Sequence, residues 1–363
     1  MRATVFASGL GIAALVALAA ACGGGGSNGN GGGSGGGGDD GGGGGACGPN
    51  AILQVPAPYM LDTSQQGLGG FYADASGLVM GLLPDPSRTS DITKVPALID
   101  TAPPTGGSPM TIFTFAPGEA PEVTADPMTA YFATLAPNTG EAVQAVSRAG
   151  GSPHDVVMTP GSIVHEFAVG SGTVYYVAST STGDEALYSV PVGGGQGAQL
   201  SDRGGSATPE HLAVDGGKVY WIDNVTDSPQ PDLNVYSIAA GAMTATQVGT
   251  IPGAIAGNVS ELAVSGGTVL FATYDLMSGS AALYQLPSSG APTMLASDGG
   301  SPFAIDGGNV YYATKTGPAR MPLAGGSSTS LGMTTIGAVT GVAVSGSSLY
   351  WVDAGQCVYK TSK

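Results

Sequence analysis

Four residues with metal-ligand chemistry recur at one position of a repeated pattern. Glu122, Glu166, His211 and Glu261 each stand four places before a residue that opens a tight turn: Asp126, Gly170, Asp215 and Ser265. His165 and Glu210 lie beside two of them. Three carboxylates and an imidazole brought together would suit a hard divalent cation such as Ca2+, or a cationic ligand, through oxygen donors. A bound ion could then activate a water while one carboxylate acts as base. Other catalytic sets have little support. The chain has three histidines, His154, His165 and His211, and no G-x-S-x-G elbow. Its glycine runs at Gly193–Gly195 and Gly325–Gly326 precede no helical pattern, so they read as turns rather than phosphate loops. His154, within Ser152-Pro153-His154-Asp155, reads as a loop residue.

Convergence of the four requires equivalent elements around an axis, and the chain supplies them. In His211 to Asp223, HLAVDGGKVYWID, an apolar run, a Gly-rich turn and a β-branched and aromatic run describe a β-hairpin. Turn-opening counterparts of Asp215 are Asp74, Asp126, Gly170, Ser265, Asp306 and Ser345, spaced roughly 40 to 50 residues apart as propeller blades are. Alanine is central in Phe167-Ala168-Val169, Leu212-Ala213-Val214, Leu262-Ala263-Val264, Phe303-Ala304-Ile305 and Val342-Ala343-Val344, as an innermost strand in a tapering ring requires. Second strands such as Val219-Tyr220-Trp221 are apolar on both faces, which fits a sheet held between two others. Third strands follow, including Leu187 to Pro191, Val235 to Ile238, and a weaker Ile92-Thr93-Lys94-Val95-Pro96. The last copy lacks a fourth strand, and Ala51 to Val55 can donate it. The expectation is an all-β chain: a single β-propeller, seven-bladed with six the alternative, its ring closed by an N-terminal strand.

The remaining copies carry Gly70, Pro302 and Gly341 in place of the acidic residue. The loops from second to third strand differ in length, Asp223 to Asn234 being long and acidic. Such a face could present a binding surface to an envelope protein or glycan. Across 363 residues there are 26 acidic and 10 basic side chains, a net charge of −16, and no Lys/Arg cluster, which argues against a nucleic-acid partner.

Residues 1–21 read as a signal peptide: Arg2, an apolar run from Ala3 to Ala20, and the small residues Ala19, Ala20 and Ala21. Together with Cys22 they resemble a bacterial lipoprotein signal. That resemblance implies lipid on Cys22 and outer-membrane or cell-surface placement, with plain secretory cleavage after Ala21 the alternative. Residues 22–45 are nearly all glycine, a tether with a reach of about 25–30 Å. Residues 46–363 form the propeller domain. With Cys22 lipidated, Cys47 and Cys357 remain as a pair in an oxidising compartment and read as a disulfide. Both precede their strands, however, which sits awkwardly with an antiparallel pairing.

Tyr220-Trp221-Ile222-Asp223 and Tyr350-Trp351-Val352-Asp353 resemble the YWTD repeat of low-density-lipoprotein-receptor-type propellers, and the layout is similar to bacterial lipoproteins carrying YWTD-like repeats. The resemblance is good over residues 162–363 and poor before them. The acidic inner positions are similar in kind to the metal-centred channel of gluconolactonase-type propeller hydrolases. Two functions follow as expectations. The first is a monomeric, lipid-anchored, non-enzymatic interaction module of the cell envelope; the alternative is a metal-dependent hydrolase or lactonase.

Overall fold

The computed structural model describes residues 47–363 except 49, 62–69, 90, 118, 120–121, 137–139, 160–162, 180–183, 203–206, 226–230, 257–258, 276–278 and 334–336. The signal segment, Cys22 and the glycine tether therefore lie outside the described residues.

Seven antiparallel sheets follow one another in chain order. Within a blade the hairpin of the repeat forms as its residues dictate. In blade four, Ala207–Asp215 pairs with Lys218–Val225 across a turn whose Gly216 and Gly217 have φ of 57° and 76°. Two consecutive positive-φ residues make the turn that matches strand twist, which only glycine adopts without cost. Leu233–Ala239 and Thr246–Ile251 complete the blade. Blade seven takes three strands from the end of the chain, Val339–Ser345, Ser348–Asp353 and Cys357–Ser362, and its fourth from Ala51–Gln54. The six-bladed alternative is thereby excluded, and the ring closes as the sequence leads one to expect.

Seven apolar layers hold the ring, one between each pair of neighbouring blades. Alternate residues of one strand serve opposite layers: Val174 and Tyr176 pack toward blade two, Tyr175 and Val177 toward blade four. The recurrent alanine has a specific neighbour. Ala168 shares a layer with Leu212 of the next blade, Ala213 with Leu262, Ala263 with Phe303, Ala304 with Val342, and Ala343 with Phe71. A small side chain on one inner strand thus receives a large one from the next, a knob-and-hole fit repeated around the axis. Within blades, directly opposed aromatics stack at centroid distances of 5.1–5.7 Å: Tyr176 on Tyr188, Trp221 on Tyr236, Phe271 on Tyr284 and Trp351 on Tyr359.

Cys47 and Cys357 are bonded, with Cα atoms 5.7 Å apart. Ala51 and Gln54 face Tyr359 and Cys357 in the closing pair. A turn in which Ala51 N–H donates to the Gly48 carbonyl brings Cys47 back toward Cys357, resolving the awkward polarity.

Two local expectations are corrected, and one is explained. Ile92–Lys94 is a 3-10 turn rather than a strand, because Asp91 accepts from Thr93 N–H and pairs with Lys94; the strand begins at Pro96. His154 opens the outer strand His154–Thr159, paired opposite Ala145, rather than lying in a loop. The inner strand of blade one comes in two pieces, Tyr59–Leu61 and Phe71–Asp74, both on Gly77–Pro84, which explains why the repeat is faint there.

Candidate functional site

The inner strands of blades three to seven each break register where the acidic series sits: between Val164 and Glu166, Glu210 and Ala213, Val259 and Glu261, Gly300 and Phe303, and Val339 and Gly341. A bulge releases backbone N–H groups from the ladder, and buried donors require acceptors. The preceding blade supplies them. Glu122 Oε1 accepts from Phe167 N at 3.2 Å, and Glu166 accepts from His211 N at 2.7 Å and Leu212 N at 2.6 Å. Glu261 Oε2 accepts from Ser301 Oγ at 3.0 Å and Phe303 N at 3.2 Å. Two further braces were not legible as part of the series: Glu141 accepts from Val164 N, and Gln356 Oε1 accepts from Leu61 N, each at 2.6 Å.

The three carboxylates therefore point sideways into the next blade, each committed to backbone donors. His211 occupies the bulge with φ of 56°, and its own N–H is one of the braced groups. Burial pushes Glu166 up to about 7 and Glu261 up to about 8, against the lowering effect of the bonds they accept, and it pushes the His211 imidazole down to about 4. Glu141 is raised by burial as well. Among the described residues no three His, Cys, Asp or Glu side chains stand close enough to hold a metal ion. The structure does not bring Glu122, Glu166, His211 and Glu261 together as a ligand set.

The structure brings other groups together at the opposite end of the blade from the tight turns. His165 is the second residue of the inner strand of blade three, Val164–Gly170, Ser179 ends its second strand, and Glu185 begins its third. His165 Nε2 lies 3.0 Å from Glu185 Oε1 and 3.1 Å from Ser179 Oγ. The bond to Glu185 raises the imidazole, with Glu141 and Glu210 adding to the effect, and the same bond lowers Glu185. Both oxygens fall on one ring nitrogen. A Ser/His/carboxylate relay needs the serine on one nitrogen and the carboxylate on the other, so this group is a hydrogen-bonded histidine–carboxylate pair and not a nucleophile relay. His165 and Glu210 flank the acidic series in sequence; what hid the cluster is that Ser179 and Glu185 come from other strands.

The tetrad aspartates are structural acceptors. Asp223 Oδ1 accepts from Trp221 Nε1 at 2.7 Å, whereas Asp353 accepts from Gly355 N, Cys357 N and the Tyr359 hydroxyl at 3.0–3.2 Å.

No protein-family model and no curated protein matches this chain. Among solved structures it is similar to a puromycin hydrolase, with 14% identity and a TM-score of 0.54 over 85% of this chain and 53% of that one. It is similar to the acylaminoacyl peptidase of Pyrococcus horikoshii, with 11% identity and a TM-score of 0.54 over 81% of this chain and 50% of that one. The propeller domain of the Trilobed protease from Pyrococcus furiosus, described as having an open velcro topology, matches with 10% identity and a TM-score of 0.56, covering 82% of this chain and 97% of that one. The chain spans about half the length of the first two. These likenesses establish the propeller fold. They also correct the functional expectation: the propellers it resembles belong to peptidases, and a purely non-enzymatic module is not retained. The metal-dependent lactonase is set aside with it, since its ligand set is not assembled.

Proposed function

We propose that this chain is the propeller part of a peptidase-type hydrolase that acts on amide bonds, exported and held at the cell surface through lipid on Cys22. The observation that carries this reading is the superposition of four-fifths or more of the chain on the propellers of a puromycin hydrolase and an acylaminoacyl peptidase. The geometry is consistent with an accessory rather than a catalytic role for the blades. The inner carboxylates are engaged in bracing, and the His165 group has no relay geometry. The nucleophile would come from a catalytic unit outside the described residues, docked on the face that carries His165 and Glu185. The glycine tether would give the assembly room above the membrane.

A detergent extract of the envelope that holds the full chain tests this with fluorogenic aminoacyl amides. The reading predicts amide hydrolysis that is blocked by a fluorophosphonate and removed when the chain is depleted by antibody. Activity that stays in the supernatant after complete depletion, or none in any fraction, would overturn it. Palmitate labelling checks the anchor: the native chain is expected to incorporate label, and Cys22→Ser to lose it entirely.

A further inference from the structure

The large apolar side chains that reach solvent are nearly all of one kind. Among the described residues seven are exposed, and six of them are methionines: Met110, Met128, Met158, Met243, Met294 and Met333, at 47–95% exposure, with Ile163 the seventh. Every described leucine, phenylalanine and tryptophan is buried or half-buried. The fold thus keeps apolar bulk inside except where it carries a thioether. The six are also dispersed. Met110 opens the outer strand of blade one, Met158 lies in that of blade two and Met294 in that of blade five. Met128 stands in the inner turn of blade two, Met243 in the outer turn of blade four, and Met333 follows the outer strand of blade six. A docking surface is a contiguous apolar patch, and positions on five blades do not make one. Two other methionines, Met80 and Met321, are at most 2% exposed and belong to the layers between blades.

What the dispersed positions share is sulfur. Oxidation of a thioether to the sulfoxide turns a flexible apolar side chain into a polar one, which disrupts a core but suits a surface. We propose that the six surface methionines are oxidative modification sites that together act as a sink for two-electron oxidants, of the peroxide and hypochlorous acid class. In each event the sulfur gives two electrons to the oxidant and takes its oxygen. An S–O bond forms as the O–O or O–Cl bond breaks, and water, or chloride and a proton, leaves. The six lie in turns, on outer strands or just after one, so an oxidant arriving from solvent meets a thioether before it meets Met80, Met321 or the aromatic layers. The sink is independent of the hydrolase reading.

Titration of the full-length chain with hypochlorous acid, each methionine being followed by peptide mass spectrometry, tests this. The first roughly six molar equivalents, one for each exposed thioether, are expected to appear as sulfoxide at the six sites, about tenfold or more ahead of Met80 and Met321. The urea midpoint of the chain so oxidised should equal that of the untreated chain. Replacing all six by leucine conserves their volume and removes the sulfur; the same equivalents should then lower the midpoint and chlorinate tyrosines. Oxidation of Met80 or Met321 in step with the six would overturn the proposal, as would a midpoint that falls while only the six are oxidised. So would a leucine chain that withstands the same dose. Where the leucine chain starts from a shifted midpoint, the order of oxidation in the native chain decides alone.

Discussion

Glu261 illustrates how a residue selected for its metal-ligand chemistry can be a structural one. Its carboxyl is buried against blade six and raised to about 8, whereas an unfolded chain leaves it near 4.5. Between those values the folded state holds a proton that the unfolded state has lost, so stability falls as pH rises through this window. Glu261→Gln keeps an acceptor without the ionisation. It is expected to match the native chain at pH 5 and to exceed it at pH 8 by on the order of 1–3 kcal/mol, read from urea unfolding at the two pH values; an equal pH slope in both proteins would refute the assignment. Glu166→Ala leaves two bulge donors without acceptors, and should cost about 1–3 kcal/mol whether or not Ca2+ is present. The spacing of the acidic series was legible in the sequence because each member occupies the same bulge. Its role was not, because the amides of Phe167, Leu212 and Phe303 that it serves belong to the following blade and carry no side-chain signature.

At the scale of the element, the inner strand is the unit that most nearly declared itself. The alanine at its centre, the double-glycine turn and the two-faced apolar second strand all lie within about a dozen residues, and each has a local physical cause. What the sequence showed as a taper is a pairing: Ala213 makes room for Leu262 of the next blade. Ala213→Leu is expected to overpack that layer and cost about 1–3 kcal/mol, seen as a lowered urea midpoint, whereas Val214→Leu, in a half-buried position, should cost less. Blade one was faint for an equally concrete reason. Its inner strand is divided between Tyr59–Leu61 and Phe71–Asp74, so the spacing on which the repeat depends is interrupted. Where the 3-10 turn at Ile92–Lys94 replaces an expected strand, a capping aspartate outweighs β propensity.

For the molecule as a whole, closure joins residues 310 positions apart by a disulfide and by pairing of Ala51–Gln54 with Cys357–Ser362. Opening that bridge with Cys357→Ser is expected to remove up to roughly 4–5 kcal/mol and to raise amide exchange first in blade seven. The seven blades and their closure followed from the sequence because periodicity is a one-dimensional signal. The proposed link to peptidases did not, since it rests on backbone likeness to their propellers alone. Its most direct test is a photo-crosslinking residue placed at His165, on the face proposed to meet the catalytic unit, or at exposed Lys218, just after the tight turn at the opposite end of blade four. With fluorophosphonate-treated envelopes, crosslinking from position 165 should yield a labelled hydrolase adduct and crosslinking from 218 should not. No labelled adduct from 165, or equal adducts from both positions, would contradict the account.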